Sequence, residues 1–200
     1  MIAIQPICAE RLPDFLAFFD HEAFADNPKW AGCYCHFPHA DHARVVWKER
    51  TAADNRPASA ALVCSGKMQG YLAYHEGRAV GWCNAGPRAL IDGLFGESDP
   101  QAAQIGSIAC FVIAPARRRQ GVATALLDAA CTGFAEQGLT WAEAYPQKGE
   151  QSAAAHHFGA LEMYLRAGFA VHRDDADGVV VRKPLRPAAA SEAAKCEASR

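Results

Sequence analysis

A buried strand that leads directly into a basic turn and a helix is the feature that most constrains the fold of this chain. The segment IGSIACFVIAP (105–115) is an apolar run with β-branched residues that stops at Pro115, which is typical of a buried strand. After the turn, small and apolar residues recur at helical spacing as far as Gly138 and predict a helix. They are Val122, Leu126, Ala129, Ala130, Gly133 and Phe134. The helix therefore begins just past the carboxyl end of a buried strand.

The turn between the two elements has the composition of an anion site. Unpaired N–H groups and the dipole at a helix N-terminus favour a phosphate, and Gly121 and Ala123 let one approach the backbone. Arg117, Arg118 and Arg119 add positive charge in a form that suits phosphates. Because the pattern is short, a solvated basic turn before an ordinary helix is the alternative interpretation.

Helical and extended patterns alternate along the rest of the chain. Helices are predicted over 10–24, 42–53, 57–66 and 153–168 from helical spacing and from proline and glycine at their ends. Strands are predicted over 139–145, 169–173 and 179–185 and in a hairpin over 69–88. The order predicts an α/β (α+β) fold with a mixed, mostly antiparallel central sheet and helices on both faces.

Length and charge limit the classes of protein to which the chain can belong. Two hundred residues suffice for one domain, which we place at 1–185, before an alanine-rich tail at 186–200 that we expect to be disordered. The net charge of −2 gives no electrostatic footprint for nucleic acid, and no apolar run is long enough for a membrane span. The N-terminus lacks the pattern of a signal peptide, so we expect a cytoplasmic protein.

Two short motifs give the chain a resemblance to a known superfamily. In RRQGVA, the residues Arg118, Gly121 and Ala123 match the phosphate-binding pattern of the Gcn5-related N-acetyltransferases (GNAT). In MYLRAGF, Tyr164 stands four residues before the Gly168-Phe169 pair, as in a later signature of the same superfamily. The order of elements also agrees over residues 1–185. The resemblance implies a GNAT fold and acetyl-CoA as the cosubstrate.

By this resemblance, acetyl-CoA lies in a V-shaped gap between the strand that ends at Ile113 and the strand 139–145. Backbone groups of the first strand would hold the pantetheine arm, and backbone amides of the turn would hold the pyrophosphate. Many relatives carry an asparagine about seven residues before the tyrosine, where this chain has His157, which could bind the cofactor or simply pack. The predicted cofactor-binding residues are Phe111, Val112, Ile113, Arg118, Arg119, Gln120, Gly121, Val122, Ala123, Thr124 and His157.

Acetylation of an amine requires removal of a proton from the amine and a proton for the departing thiolate. The resemblance places the general acid at Tyr164, with a packed tyrosine as the alternative. Glu143 is the predicted general base because it is an acid in an otherwise apolar strand, although it could equally face solvent or pair with an arginine. His75 and Glu97 are weaker candidates, and a chain of water molecules without a single base is also possible in this superfamily.

The segment WAGCYCHFPHADH (30–42) is expected to form a loop near the acceptor end of the site. Cys33 and Cys35 with His36, His39 or His42 could bind zinc, but one intervening residue is tighter than structural zinc pairs usually have. We therefore expect no metal, and an acceptor pocket walled by aromatic residues. The predicted acceptor contacts are Trp30, Tyr34, Trp82 and Asn84.

These expectations define an acetyl-CoA-dependent N-acetyltransferase. The acetyl group would pass to a primary amine of a small molecule or peptide by direct transfer in a ternary complex. A non-catalytic acyl-CoA-binding protein, or a zinc or thiol sensor with the same fold, is the alternative. A homodimer is a possible state because dimers are common in the superfamily.

Overall fold

Seven strands form one sheet in a computed structural model, which describes residues 1–91, 99–147, 156–175 and 178–185. The strands are β1 (Ile2–Pro6), β2 (Gly70–His75), β3 (Arg78–Pro87), β4 (Ile105–Ile113), β5 (Trp141–Ala144), β6 (Ala170–Asp175) and β7 (Gly178–Pro184). Their order is β1-β2-β3-β4-β5-β7-β6. Strands β4 and β5 are parallel, and the other neighbouring pairs are antiparallel. This mixed, mostly antiparallel sheet confirms the predicted fold class.

Helices cover both faces of the sheet. They are α1 (Leu12–His21), α2 (Ala52–Cys64), α3 (Val122–Glu136) and α4 (Leu161–Arg166). Helices α1 and α2 share a hydrophobic core with one face, where Trp82 and Val112 point toward Phe15. Helices α3 and α4 share a second core with the other face. Gly106 permits the close approach of α3, since a Cβ atom there would lie 2.3 Å from the Phe134 ring.

Several predicted element boundaries were wrong for local reasons. In place of the helix expected over 42–53, there is a 3₁₀ turn at Trp47–Glu49. The last two residues of that range already belong to the next helix, which begins at Ala52 and therefore earlier than predicted. A capping box starts α2 after Thr51: the Thr51 N–H donates to Asp54 Oδ2 at 2.8 Å, so Pro57 lies inside the helix rather than at its start. Strand β1 was not predicted at all.

The last predicted helix is also shorter than expected. Gly159, with a φ of +80°, separates a 3₁₀ turn at His156–Phe158 from α4. Residues 153–155 of that prediction, the tail 186–200 and Glu97 lie outside the described residues. None of the helices in the described ranges is long and apolar enough to cross a membrane.

Candidate functional site

Strand β4 continues beyond the end of its parallel neighbour β5. They are paired from Ile105 with Trp141 to Ile108 with Ala144, where β5 ends. Strand β4 continues to Ile113, and within the described ranges no strand pairs with this second half on the β5 side. An extended molecule could bind along such an edge by main-chain hydrogen bonds. This open edge of β4 lies where the resemblance predicts the V-shaped gap, and the binding of acetyl-CoA there stays a prediction.

A β-bulge lies where the gap opens. Asn84 of β3 pairs with Cys110, but Ala85 pairs with Ile108, so Ala109 is the extra residue. A bulge bends its strand and reorients the groups around it. The bend therefore falls at the point where β4 leaves β5.

The N-terminus of α3 lies just past the end of β4. The first N–H groups of any helix lack an intrahelical acceptor, and with the helix dipole they favour an anion. Gly121 precedes the helix with a φ of +80°, and a Cβ atom there would meet no atom within 4 Å. Glycine thus provides both the left-handed conformation and open space beside the backbone. These features fit a phosphate group.

The arginines of this turn differ in their partners. Arg118 donates from Nε to the Ile113 carbonyl at 3.2 Å and from Nη2 to Asp26 Oδ1 at 3.0 Å. The hydrogen bond from Arg118 holds the pKa of Asp26 below its usual range. Arg119 is exposed with a φ of +61°. The Arg118 guanidinium is therefore engaged in hydrogen bonds that connect the turn to the segment after α1. The side chain of Arg119 is exposed and is better placed than that of Arg118 to contact an anion.

Tyr164 lies on the α3 side of the sheet in a fully buried position. Its ring centroid is 6.4 Å from that of Phe111 and 5.3 Å from that of Phe169. Its hydroxyl donates to the Phe158 carbonyl at 2.7 Å. Burial raises the pKa of Tyr164 well above its ordinary value, so the phenol keeps its proton at neutral pH. Contact with Phe111 places the ring beside the part of β4 that borders the gap.

The predicted cofactor residue His157 is in contact with an acceptor candidate. Its ring meets the ring of Trp30 edge to face with centroids 5.1 Å apart, and it also contacts Phe158 at 4.3 Å. His157 directly precedes Phe158, the acceptor of the Tyr164 hydrogen bond. The structure thus joins the 30–42 loop to the turn that holds Tyr164.

Glu143 is the centre of a buried ionic network. It is 0% exposed, and it accepts from Arg88 Nη1 at 2.7 Å on Oε1 and from Arg182 Nε at 2.5 Å on Oε2. The Tyr145 hydroxyl donates to Oε1 at 2.5 Å and also contacts Ser107 Oγ at 2.9 Å. Both carboxylate oxygens are therefore engaged, as in the arginine-paired alternative considered from the sequence.

Asp99 completes this network from the segment before β4. It accepts from Arg182 Nη2 and lies 3.7 Å from Arg88 Nη1. Burial opposes ionisation of Asp99, but the hydrogen bond and charge of Arg182 outweigh it and lower the pKa. Two guanidinium groups therefore face two carboxylates, and their charges balance inside the protein.

Replacing Glu143 with glutamine should destabilise the fold strongly. The change leaves two buried guanidinium groups with Asp99 as the only remaining carboxylate of the network, and breaking a buried ion pair costs about 3–5 kcal/mol. Denaturant unfolding followed by circular dichroism measures the loss. Glu162→Gln is the matched control, since the Glu162–Arg166 pair is about 80% exposed on both sides and its loss should change stability little. Equal stability of the two variants would contradict the network.

The predicted acceptor residues occupy different environments. Trp82 is 0% exposed and packs edge to face on Phe15, with centroids 4.9 Å apart. Tyr34 is buried against Phe19, and its hydroxyl donates to Asp20 at 2.6 Å. Trp30 is half-buried. Trp82 and Tyr34 thus lie in the core rather than on an open wall, and their contact with an acceptor stays a prediction.

Asn84 connects the 30–42 loop to β3. Its Nδ2 lies 3.3 Å from Cys35 Sγ and 2.9 Å from His39 Nε2, and the side chain is 1% exposed. Among the described residues, no group of three or more His, Cys, Asp or Glu side chains is arranged to hold a metal ion.

His75, a weaker base candidate, lies at the β2–β3 turn, with Nδ1 3.8 Å from Glu76 Oε2.

Acid should weaken the fold through the histidines of this loop. Burial lowers the pKa of His39 to about 4, and burial chiefly does the same for His36. The unfolded chain takes up these protons below about pH 6.5 and the folded protein does not, so stability falls as pH drops from 6.5 to 4. Unfolding curves at pH 7 and pH 5 measure the change, and His39→Gln should reduce it. If His39→Gln leaves the loss of stability between pH 7 and pH 5 unchanged, His39 is not a source of that loss.

Sequence reasoning missed Ser107, Tyr145, Asp99 and Arg182. Ser107, Glu143 and Arg182 are successive register partners across β4, β5 and β7, and therefore share a face of the sheet. Arg182 is a charged residue in the apolar strand VVVRKPL, and the same property had indicated Glu143 as a candidate site residue. Their pairing depends on strand order, which local patterns do not give.

Comparison with known proteins agrees with this geometry. A sequence model described as "Acetyltransferase (GNAT) family" matches residues 9–169. A comparison with curated protein sequences gives no match.

Three solved structures illustrate the similarity of fold. An N-acetyltransferase from Staphylococcus aureus Mu50 is 13% identical, with a TM-score of 0.58 over 93% of this chain and 99% of its own. The PaiA N-acetyltransferase from Thermoplasma acidophilum, in complex with coenzyme A, is 11% identical, with a TM-score of 0.55 over 92% and 99%. YncA from Salmonella typhimurium, with its cofactor acetyl-CoA, is 15% identical, with a TM-score of 0.55 over 96% and 98%.

Proposed function

Because the chain belongs to the acetyltransferase (GNAT) family, we propose that it transfers the acetyl group of acetyl-CoA directly to a primary amine within a ternary complex. The observation that carries the proposal is the second half of β4, which no described strand pairs on the β5 side and which leads to the N-terminus of α3. One element could bind an extended arm and the other a phosphate. The acceptor would be a small molecule or a peptide.

The residues present fit acetyl-CoA. Main-chain groups of 111–113 would hold the pantetheine arm along β4, and the amides of 119–124 would hold the pyrophosphate. Gly121 and the exposed Arg119 would face the phosphates, while Arg118 keeps the turn in place through Asp26. When bound, acetyl-CoA supplies an activated thioester, whose C–S bond breaks as the amine nitrogen bonds the acetyl carbon and one proton passes from nitrogen to sulfur overall.

Tyr164 is the residue we propose to protonate the leaving sulfur. Its raised pKa keeps the phenol protonated at neutral pH, so the proton is present when the sulfur leaves. The hydroxyl donates to the Phe158 carbonyl in this structure, so it must turn from that carbonyl to act. A backbone carbonyl is neutral and would release the phenol more readily than a carboxylate would.

The role of Glu143 as general base stays a prediction. Its two arginine partners and the Tyr145 hydroxyl support a different role, in which Glu143 fixes Tyr145 and Ser107 where β4 and β5 separate. Proton removal from the amine would then fall to water in the gap. A base at Glu143 would require this network to open first.

Release of free CoA in the presence of a panel of amines tests the proposed function. The panel should include amino acids, polyamines, aminoglycosides and peptides with free termini, with hydrolysis in the absence of amine subtracted. Release that depends on one class of amine, with initial-rate lines that intersect, is the expected result. Binding of acetyl-CoA without transfer to any amine would favour the sensor alternative.

A further inference from the structure

Three cysteines lie together on the α1 and α2 face of the sheet, beside the gap. Cys110 is on β4, two residues past the last β4–β5 pair, and is the register partner of Asn84. Asn84 in turn contacts Cys35 Sγ at 3.3 Å. Cys33 is two residues from Cys35 on the same loop. The fold thus brings together thiols that are 75 positions apart in sequence, Cys35 and Cys110.

The sulfur of Cys35 accepts a hydrogen bond from the Asn84 amide and has polar neighbours in the buried cluster. Besides the Asn84 amide, Cys110 lies close to it, because Cys110 is the register partner of Asn84 and packs against the same buried cluster as Cys35. The Trp82 indole belongs to the same buried cluster, and its Nε1 has no hydrogen-bond partner among the described residues. Burial raises the pKa of Cys35, but the Asn84 amide and the polar groups of Cys110 and Trp82 outweigh burial and lower the pKa. Cys35 is therefore the sulfur that carries negative charge most readily.

The partner sulfur has the opposite character. The neighbouring Cys35 and burial raise the pKa of Cys110 well above its ordinary value, which keeps Cys110 a thiol. Burial also raises the pKa of Cys33, to about 12. A thiolate next to a protonated thiol is the arrangement of a reactive cysteine and its resolving cysteine.

The backbone holds Cys35 in place at some cost in energy. Tyr34 and Cys35 have φ values of +47° and +49°, which non-glycine residues rarely adopt. The Ser59 hydroxyl donates to the Tyr34 carbonyl at 2.9 Å, and the Asn55 amide donates to the Gly32 carbonyl at 2.7 Å. These contacts from α2 fix the loop, in which the Cys35 sulfur lies against Asn84 of β3, the register partner of Cys110.

We propose that Cys35 and Cys110 form a reversible disulfide in response to a peroxide. The Cys35 thiolate attacks one peroxide oxygen, the O–O bond breaks, and Cys35 becomes a sulfenic acid while hydroxide leaves. The Cys110 thiol then attacks the Cys35 sulfur, the S–O bond breaks, and water leaves as the disulfide forms. The peroxide gains the two electrons that the two sulfurs lose.

Access to this pair comes from the side of Cys110. Cys35 is 1% exposed, but Cys110 is only partly buried and lies on the half of β4 that no described strand covers on the β5 side. The disulfide would join the 30–42 loop to β4 at the border of the gap. A thiol such as dithiothreitol would reverse it. This inference does not depend on the proposed acetyl transfer.

Peptide mapping of the full-length chain after treatment with hydrogen peroxide tests the proposal. After alkylation and digestion with trypsin without reduction, peptide 30–44 should be joined to peptide 89–117, with loss of two free thiols. Dithiothreitol should restore both thiols. Cys35→Ser and Cys110→Ser should abolish the joined peptides, whereas Cys33→Ser, in the same loop, should still form them.

Other products would overturn the proposal. They are a Cys33–Cys35 link, joined peptides that persist in Cys35→Ser, or oxidation confined to other cysteines. Circular dichroism of each variant shows whether it is folded. If Cys35→Ser does not fold, Cys35→Ala and the native protein with trapped sulfenic acid provide the same comparison. Sulfenic acid trapped at Cys33 rather than Cys35 would also contradict the proposal.

Discussion

Replacing Gly121 with glutamate is expected to abolish acetyl-CoA binding while the protein remains folded. The carboxylate would lie where the pyrophosphate is proposed to bind, and the added side chain would fill the open space beside the backbone. We expect affinity to fall at least ~100-fold, about 2.7 kcal/mol. Calorimetric titration with acetyl-CoA measures the effect.

Gly138→Glu is the matched control for this substitution. Gly138 follows the other end of α3 with a φ of +79°, against +80° at Gly121, and a Cβ atom there also meets no atom within 4 Å. Both variants bear the cost of a left-handed non-glycine residue, about 1–2 kcal/mol, and both add one negative charge. Only Gly121→Glu should lose binding. Equal affinities in the two variants would refute the proposed phosphate site.

Replacing Tyr164 with phenylalanine should slow turnover sharply and leave acetyl-CoA binding nearly unchanged. The ring and its packing on Phe111 and Phe169 remain, and only the proton donor is lost. General acid catalysis contributes roughly 10²–10⁴-fold to rates, so a fall in kcat of that size is expected. Initial rates of CoA release with an active amine, together with a binding titration, measure both quantities.

A second tyrosine controls for the loss of a hydrogen-bonded hydroxyl. Tyr74 donates to Asp14 Oδ2 at 2.7 Å on strand β2, away from the gap. Tyr74→Phe should therefore bind and turn over like the native enzyme. If Tyr164→Phe also keeps its full kcat, Tyr164 is a packed core tyrosine and not the acid.

The parts of the fold that the sequence predicted are those with strong local signals. The buried strand, the turn with Gly121 and the helix after it form as expected, because apolar patterning and the start of a helix are properties of neighbouring residues. The hairpin at Glu76-Gly77 also forms where predicted, with both residues at positive φ.

The parts that the sequence did not predict depend on contacts between distant residues. Thr51 and Asp54 were available as a capping box, but a proline six residues after Thr51 suggested a later start for α2. Two partners of Glu143, Arg88 and Arg182, come from separate segments, and only the order of the strands brings them to it. The proximity of Cys35 to Cys110 has the same origin.

Hydrogen exchange with and without acetyl-CoA tests the central claim most directly. If the cosubstrate binds along the second half of β4 and at the start of α3, backbone amides of 109–113 and 119–124 should exchange more slowly when it is present. The 30–42 loop should change less. Unchanged exchange in both segments, with protection elsewhere in the chain, would contradict the proposed site.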